Sequence, residues 1–301
     1  MNQPLVSIVT ITYNRADLIH RCIESIQRQT YQNYEHIIVD GNSSDNTEEV
    51  VTNYNDPHIR YIKLKKNGCA LQLRAGADVA KGKYITFLDD DDEYLSPKIE
   101  KQVALFESLS EDYGVVYCWM SYYNNDNPDK VIRIHKTELR GDVRDIAPTR
   151  PLVSGTPTMM IRRSIFDTYG GTYNDDIGFV MSDWELMARI CQHCLVDYVP
   201  ESLVKVYVNH GHARLTTDFY GEKARRAVLF HNHFLTLFSD AFERHPESAD
   251  YHYKSLVTAY VTLGNYRDAW KYYMRLLKVK PSVANAMSPI RPIIKRMLRW
   301  K

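Results

Sequence analysis

The sequence lacks any apolar run close to the roughly 20 residues that a membrane-spanning helix needs. Its first residues, 1–4, show neither the positive start nor the apolar core of a secretory signal peptide. It has only five cysteines in 301 residues. An odd and small number is typical of reduced cytosolic thiols rather than of a disulfide framework. We therefore expect a cytoplasmic protein.

Three further signals of common binding sites are missing. The 38 basic and 37 acidic residues nearly cancel, so the overall charge predicts no nucleic-acid partner. No glycine-rich phosphate loop of the GxxxxGKS or GxGxxG type occurs. Any phosphate would then be held by helix N-termini, basic side chains or a metal. The pair Cys191 and Cys194 has no second CxxC to complete a zinc site, which favours a packing role.

Strand and helix patterns alternate over the first hundred residues. β-branched apolar runs predict four strands, at residues 5–12, 36–40, 59–64 and 84–88. Apolar residues at helical spacing predict three intervening helices, at residues 14–30, 43–54 and 70–82, the last closed by Gly82. Repeated strand–helix units predict an α/β fold, in which a mostly parallel, Rossmann-like sheet is flanked by helices.

The middle of the chain is less regular. Its predicted elements are a helix at 98–106, a strand at 113–123, a loop or edge hairpin at 124–145, a strand entering a helix at 156–166, a helix at 182–192 and two short strands at 196–199 and 203–208.

An α-helical extension is predicted after Asp218, where the composition becomes helical and aromatic. Residues 250–281 fit the spacing of a tetratricopeptide hairpin, although two ordinary helices explain the pattern equally well. A lone repeat cannot bury its own face, so we expect it to pack on the preceding helix, 222–242, or on a partner. Residues 218–281 are therefore a candidate surface for a protein partner or for self-association.

The last stretch, 289–301, is basic and amphipathic. Such a segment could make a peripheral contact with an anionic membrane surface. A frayed tail, or a helix docked on the domain, is the alternative.

Acidic residues stand where two predicted parallel strands end. Asp40 ends the second strand, and four aspartates, Asp89–Asp92, directly follow the fourth. Ligands of open α/β sheets bind beyond the carboxyl ends of the strands. Clusters of oxygen ligands favour magnesium, manganese or calcium, and the run lacks the spacing of an EF-hand. The sequence therefore predicts a short acidic turn that shares a divalent cation with the phosphates of a ligand.

Several ordered motifs accompany this turn, namely VSIVTITYN, QTYQNYE, VDGNSSDNT, AKGKY and FLDDDD. Together they resemble the inverting family 2 glycosyltransferases with a GT-A fold, and the resemblance covers roughly residues 4–215. It implies transfer of a sugar from a nucleotide-diphosphate donor, with UDP expected, to a glycan or lipid-linked acceptor in surface polysaccharide biosynthesis. It also implies Mn²⁺ or Mg²⁺ as cofactor and work at the inner face of the cell membrane.

The same resemblance suggests how the chain is divided. Residues 1–217 would form the GT-A domain, with a nucleotide-binding half at about 1–118 and an acceptor half at about 119–217. Residues 218–301 would form the helical extension.

The resemblance also implies donor-binding roles at the strand ends. Asp91 would bind the metal that bridges the diphosphate, Asp92 would orient the turn, and Asp40 would hydrogen-bond the base. The other positions implied beside the nucleotide and the metal waters are Thr12, Tyr13, Asn14, Asp89 and Asp90.

Inversion requires a base that deprotonates the acceptor hydroxyl as it attacks. The segment MSDWELMARI resembles the family's later acidic motif and makes Asp183 that base, with a helix cap as the alternative role. Asp175 and Asp176 are further candidates for acceptor binding or for a capping role. His210, in the metal shell, and Arg214, on the diphosphate, fall where relatives have a loop over the donor.

Two positions depart from the family pattern. Gly41 stands where many relatives have a second aspartate, and Arg74 stands where they commonly have asparagine. Arg74 could add a contact to the diphosphate or the base. Two other functions stay open at this point: a sugar-nucleotide pyrophosphorylase, which shares the sheet plan, and a non-catalytic interaction protein that uses the helical extension.

Overall fold

The computed structural model describes residues 3–153, 155–170, 182–208, 211 and 220–282. Contacts divide the chain into two compact units. The first unit comprises Met1–Val143, Pro151–Tyr173 and Leu186–His212, and the second comprises Arg144–Arg150, Asn174–Glu185 and Ala213–Lys301. The second unit therefore includes two short segments that interrupt the first along the chain.

Nine strands of the described residues form one sheet in the first unit. They are β1 (Val6–Thr12), β2 (Tyr34–Asp40), β3 (Ile59–Lys63), β4 (Tyr84–Phe87), β5 (Glu93–Tyr94), β6 (Tyr113–Asn124), β7 (Asn127–His135), β8 (Met159–Arg162) and β9 (Leu195–Val208). Their order is β3-β2-β1-β4-β8-β6-β9-β5, and β7 pairs with β6. The first four strands are parallel, whereas β8 is antiparallel to both of its neighbours. The predicted parallel sheet is thus present in the N-terminal half, and the sheet is mixed beyond it.

Helices connect the parallel strands in the predicted order. The helices that lie wholly in the first unit are α1 (Ile19–Gln27), α2 (Thr47–Asn53), α3 (Cys69–Val79), α4 (Lys98–Ser108) and the short α5 (Arg163–Ile165), which continues into a π-helical turn at Phe166–Gly170. The helix α6 (Ser182–Ile190) follows. The first helix begins later than the pattern predicts, because a left-handed Asn14, with φ of 52°, and a turn closed by Leu18 N donating to Arg15 O precede it.

Apolar side chains cover both faces of the parallel strands. Ile19 and Ile23 of α1 pack with Ile38 of β2 and Val51 of α2. All four are buried, and each contributes about 1.5–3 kcal/mol relative to an exposed side chain. Burial on both faces is why these strands read as continuous apolar runs rather than as alternating patterns.

Gly82 does not cap α3, contrary to the sequence-based expectation. The helix ends at Val79, and Ala80 is already extended. A Cβ atom at Gly82 would lie 2.5 Å from Ser7 N and 2.6 Å from Tyr84 O. Glycine is therefore required by the close approach of this turn to β1.

The two short strands predicted near the end of the first unit are one strand, β9. Val199 pairs with Cys118 and Ser202 with Trp119, so Pro200 and Glu201 are passed over in the register. Proline cannot donate to a ladder, and an irregularity of this kind accommodates it. The predicted edge hairpin is present as β6 and β7.

The second unit is helical, as predicted for the C-terminal extension. Its further helices are α7 (Tyr220–Leu237), α8 (Ser239–Arg244), α9 (Asp250–Leu263) and α10 (Tyr266–Val279). Leu256 and Tyr272 form a buried cluster between α9 and α10, and Val228 of α7 packs against it. The hairpin therefore packs on the preceding helix. Among the described residues, no helix combines the length and the apolar character needed to cross a bilayer; residues 289–301 lie outside them.

Two buried histidines contact each other in this helical unit. The Nδ1 atoms of His231 and His252 lie 2.9 Å apart, and His252 Nε2 lies 3.0 Å from Pro148 O. Because a carbonyl oxygen only accepts, His252 Nε2 carries the hydrogen and His252 Nδ1 accepts from His231 Nδ1. Both rings are neutral in this arrangement, and burial lowers the pKa of each well below its usual value.

Acid is expected to destabilise the helical unit. An unfolded histidine binds a proton near pH 6.5, whereas burial lowers the pKa of the folded rings to about 3 for His231 and about 4 for His252. The stability that these neutral rings allow above about pH 6.5 is therefore lost as the pH falls from there toward the folded pKa values. The loss approaches about 1.4 kcal/mol per pH unit for each histidine. Urea unfolding at a series of pH values between neutrality and about pH 4.5 measures it.

Two variants isolate this effect from the titration of carboxylates. His252→Phe should reduce the dependence of stability on pH, although it lowers stability at neutral pH by removing the bond to Pro148. Replacement of the half-exposed His245 by Gln should leave the dependence unchanged. An unaltered pH slope in His252→Phe would contradict the assignment.

Candidate active site

The acidic run forms a tight turn directly after β4. Carboxylate oxygens of Asp89, Asp91 and Asp92 all lie within 4.8 Å of one another. The backbone N–H of Asp92 donates to Asp89 O at 3.2 Å, which closes the turn. Asp91 and Asp92 are buried, and Asp89 is the more exposed of the three. The sequence predicted Asp91 for this position, but it gave Asp92 only a role in orienting the turn.

Asp90 lies in the same turn, but its carboxylate is not among the three that group together. Burial, and then the negative charge of Asp91, raise the pKa of Asp90 to about 8, while the Arg15 guanidinium opposes the shift. Thr12, at the end of β1, lies beside Asp90, and the contact of its buried hydroxyl with the Asp90 carboxyl also opposes the shift.

Two arginines that the sequence reasoning missed support the turn. Arg15 Nη1 lies 3.3 Å from Asp91 Oδ2. Arg21 Nη1 donates to Asp91 O at 3.3 Å, its Nη2 donates to Asn125 Oδ1 at 2.9 Å, and its guanidinium stacks 3.8 Å from the Tyr207 ring centroid. Arg15 directly follows the TYN motif, which could have drawn attention to it. Arg21 stands among polar residues of α1, and no pattern distinguishes it.

The Arg21→Met variant is expected to weaken cation binding at the turn by about 10- to 100-fold, as is usual when a group that orients metal ligands is lost. Methionine keeps the apolar stem but removes the bonds to Asp91 O and Asn125. Titration of Mn²⁺ by calorimetry in the presence of UDP measures the effect. Arg28→Met serves as the control, because within the described part of the chain the Arg28 side chain forms only an exposed ion pair with Glu24. Equal Mn²⁺ affinities in Arg21→Met and Arg28→Met would contradict the proposal that Arg21 supports the acidic turn.

Asp40 ends β2 fully buried. Its Oδ1 accepts from the backbone N–H and the hydroxyl of Ser43, both at 2.7 Å, and its Oδ2 accepts from the Tyr61 hydroxyl. These bonds fix the loop that follows β2. The contact of Asp40 with a base stays a prediction.

The ends of β1 and β2 are tied together by polar side chains. Asn14 N donates to Ser43 Oγ at 2.8 Å, and Asn14 Oδ1 accepts from Ser44 N at 2.8 Å. The buried Gln72 of α3 donates to Thr12 O at 2.8 Å and to Val39 O at 3.0 Å. Asn14 is therefore held by the loop after β2.

Three further positions that the sequence analysis names are Tyr13, Gly41 and Arg74. Tyr13 is 42% exposed, so its ring is available to a ligand. A Cβ atom at Gly41 would lie 2.6 Å from Asn67 Oδ1, which shows that the Asn67 side chain lies where a larger residue would project. Arg74 is exposed on α3 and makes no hydrogen bond or ion pair with other described residues.

Asp183 lies in the first turn of α6, in the part of that helix that belongs to the second unit. Its Oδ1 accepts from Trp184 N at 2.8 Å. The neighbouring Trp184 is fixed by a bond from Nε1 to Ala147 O at 2.7 Å and by the rings of Phe234 and His252. Burial raises the pKa of Asp183 above its ordinary value, against the opposing effect of the Trp184 N–H.

Other predicted residues lie outside the described part of the chain. These are His210, Arg214, Asp175 and Asp176. Cys191 and Cys194 are described; both are free thiols, and a Cβ atom at Gly114 would lie 2.5 Å from Cys194 Sγ, as expected for a packing role.

The acidic turn fits a hard divalent cation. Its three grouped side chains, Asp89, Asp91 and Asp92, offer only carboxylate oxygens, which suit Mg²⁺ or Mn²⁺ better than softer metals. The Arg15 guanidinium, which pairs with Asp91, neutralises part of the negative charge of these carboxylates. A cation that arrives with a diphosphate would complete the neutralisation.

Comparisons with known sequences agree with these observations. The family model described as Glycosyl transferase family 2 matches residues 7–170. A Rickettsia prowazekii protein named as an uncharacterized glycosyltransferase is 30% identical over 222 residues, which cover 71% of this chain and 66% of that protein. WcaA of Escherichia coli K12, named for colanic acid biosynthesis, is 29% identical over 295 residues, which cover 93% of this chain and 95% of that protein. A Campylobacter jejuni protein named as a GalNAc(5)-diNAcBac-PP-undecaprenol β-1,3-glucosyltransferase is 38% identical over 118 residues, which cover 38% of this chain and 37% of that protein.

Solved structures share the fold. Staphylococcus aureus TarS, residues 1–349 in complex with UDP-GlcNAc, matches with a TM-score of 0.62 at 14% identity, over 98% of this chain and 91% of that one. The mannosyltransferase PcManGT from Pyrobaculum calidifontis, in complex with GDP-Man and Mn²⁺, matches with a TM-score of 0.60 at 17% identity, over 100% and 89%. The predicted GT-A type of α/β fold, with its helical extension, is thereby confirmed.

Proposed function

The chain belongs to glycosyltransferase family 2, and on that premise we propose that it is a metal-dependent, inverting enzyme. It moves a sugar from a nucleoside-diphosphate donor, a UDP-sugar, to a glycan or lipid-linked acceptor. The grouping of the Asp89, Asp91 and Asp92 oxygens within 4.8 Å, beyond the end of β4, carries this proposal.

Asp91, with Asp89 and Asp92, is the proposed holder of Mn²⁺ or Mg²⁺. When bound there, the cation supplies Lewis-acid neutralisation of the charge on the departing diphosphate. Arg15, 3.3 Å from Asp91, adds a second positive charge at the same place. The backbone contact from Arg21 keeps the turn in position without occupying a carboxylate oxygen of Asp91.

The donor is proposed to lie across the ends of β1, β2 and β4. Asp40 and Asn14 shape this surface through their bonds to Ser43 and Ser44. The exposed ring of Tyr13 is available to a ligand there, and the buried Thr12 hydroxyl lies beside Asp90 at the same edge. Asp89 and Asp90 remain the candidates for the ribose and the metal waters. Arg74 is free to reach a phosphate or base.

Asp183 is proposed as the base. As the acceptor oxygen attacks the anomeric carbon, its proton passes to the Asp183 carboxylate, and the bond between that carbon and the diphosphate oxygen breaks. Attack opposite to the leaving group inverts the configuration. A raised pKa, caused by burial, makes Asp183 a better proton acceptor than an exposed aspartate once it is ionised. His210, in the metal shell, and Arg214, on the diphosphate, stay predictions.

The acceptor is proposed to be lipid-linked, and the site of action to be the cytoplasmic face of a membrane. The printed name of the Campylobacter jejuni relative specifies a diphosphoundecaprenol acceptor, and that of WcaA specifies colanic acid biosynthesis. A peripheral contact through residues 289–301 would bring the enzyme to such an acceptor.

A panel of nucleotide sugars tests the proposal directly. We expect one UDP-sugar to raise the melting temperature when Mn²⁺ is present and to be hydrolysed slowly without acceptor. A pyrophosphorylase would instead form UTP and sugar 1-phosphate when pyrophosphate is added. A non-catalytic interaction protein would show no turnover with any donor despite a normal melting profile.

A further inference from the structure

Two amide side chains converge on Gly41, which directly follows β2. A Cβ atom at Gly41 would lie 2.6 Å from Asn67 Oδ1 and 3.0 Å from Gln72 Oε1. The Gly41 N–H donates to Thr12 O at 2.9 Å, so this point lies at the edge of the sheet where β1 and β2 both end. The missing side chain at Gly41 therefore brings two amides together at the carboxyl ends of parallel strands, where ligands of such sheets bind.

The orientation of the Gln72 amide is fixed by its surroundings. Gln72 is 1% exposed, and its Nε2 donates to Thr12 O at 2.8 Å and to Val39 O at 3.0 Å. Because carbonyl oxygens only accept, the nitrogen has to face them and the oxygen has to face Gly41. None of the residues that the structure describes donates a hydrogen bond to Gln72 Oε1. A buried acceptor of this kind is suited to a ligand that brings an N–H.

Asn67 adds a second amide, and this one can turn. It lies between β3 and α3 and is exposed, and its side chain forms no hydrogen bond with the described part of the chain. A half-turn of the amide can therefore present either its oxygen or its nitrogen to a ligand. Asp40, in contrast, is fully buried, and its two oxygens already accept bonds from Ser43 and from Tyr61. The open hydrogen-bonding groups beside Gly41 are thus amides rather than carboxylates.

We propose that Gln72 and Asn67 read the base of the nucleotide donor and select uracil over cytosine. Uracil presents a ring N–H between two carbonyl oxygens. Gln72 Oε1 accepts from this N–H, and the Asn67 amide, with its nitrogen turned inward, donates to a neighbouring carbonyl oxygen. Cytosine has a ring nitrogen without hydrogen at the same position, which would set two acceptors against each other. The inference rests on the proposed function, because it concerns the base of the donor that the proposed enzyme uses.

Nucleotide analogues test the contact of Gln72 without altering the protein. Calorimetry in the presence of Mn²⁺ compares UDP, CDP and UDP methylated at N3 of the base. All three carry the same ribose and diphosphate, so only the edge of the base differs. We expect CDP and the methylated UDP to bind about 100-fold more weakly than UDP, because a site that pairs with an N–H rejects a base that lacks it. Equal affinities for UDP and its methylated form would overturn the inference.

Two variants test the place of the contact. In Gly41→Ala the added methyl group fills the point on which the two amides converge, and the exposed end of Asn67 can move aside. We expect a melting temperature close to that of the wild type, about tenfold weaker binding of UDP, and a smaller ratio between the UDP and CDP affinities. Asn67→Ala should weaken UDP binding about fivefold. The losses should not add in the double variant, because both changes remove the Asn67 contact.

The control variant is Asn53→Ala, which truncates an exposed asparagine at the end of α2. It should bind UDP and CDP like the wild type. Wild-type discrimination between UDP and CDP in Gly41→Ala would overturn the inference alone, since the methyl group occupies the place of the base contact. Failure of the wild type to bind any of the nucleotides would instead overturn the proposed function, and this inference with it.

Discussion

The Asp183→Asn variant is expected to lower the rate of sugar transfer by about 10² to 10⁴-fold, the usual contribution of a general base. Asparagine has nearly the same shape, but it cannot accept the proton of the acceptor hydroxyl. Donor affinity should stay within about twofold, because the expected donor contacts lie at the strand ends of the first unit. Initial rates with a radiolabelled or fluorescent acceptor, and titration of UDP, measure the two quantities.

Stability gives an independent check on this variant. Burial raises the pKa of Asp183, so the folded state disfavours its ionised form, and the stability due to this group falls as the pH rises through the raised value. The neutral asparagine should therefore melt no lower than the wild type at neutral pH. Glu185→Gln, which changes the next acid in the same helical turn, is the matched control and should retain transfer. Normal transfer by Asp183→Asn would place the base elsewhere.

The second large effect is expected for Asp91→Asn. Removing one of the three grouped carboxylates should abolish measurable Mn²⁺ binding in the presence of UDP and lower turnover by about 10³-fold. The fold should not suffer, since Asp91 raises the pKa of Asp90 and its removal relieves repulsion between like charges. Calorimetry, and hydrolysis of the UDP-sugar over a range of Mn²⁺ concentrations, check both statements.

Asp129→Asn is the control for Asp91→Asn, because it removes an exposed aspartate from the edge strand β7. It should bind Mn²⁺ and turn over the donor as the wild type does. If Asp91→Asn kept the wild-type affinity for Mn²⁺, the cation would have to be held without it, and the assignment of the acidic turn would fail.

The sequence predicted the parts of the site that depend on local pattern. A strand has a period of two and a parallel strand is buried on both faces, so β1, β2 and β4 could be recognised from their apolar runs. The end of each run then located Thr12, Asp40 and Asp89–Asp92. Because the carboxyl ends of parallel strands share one edge, their proximity followed from the topology alone.

The sequence could not predict contacts made across long separations. Arg21 meets the acidic turn 70 residues later, and Tyr207 N meets Asp92 Oδ1 across 115 residues. Nothing in the local pattern of α1 or β9 marks these partners. The position of β8 between β4 and β6, antiparallel to both, could also not be predicted. A strand of four residues, 159–162, carries no pattern that indicates its direction or its neighbours. The grouping of the Asp92 carboxylate with those of Asp89 and Asp91 could likewise not be read from the run of four aspartates.

The order of synthesis has a consequence for the acidic turn. Glu93 pairs with Lys205, and Asp92 Oδ1 accepts from Tyr207 N, so the turn is completed by a strand made 115 residues later. At about 5–20 residues per second, a ribosome needs roughly 6–23 seconds to cover that distance. During this interval the aspartates are made but not yet held in place. The turn of the nascent protein thus cannot reach its final geometry until β9 has emerged, and the cation site proposed there forms only after that point of synthesis.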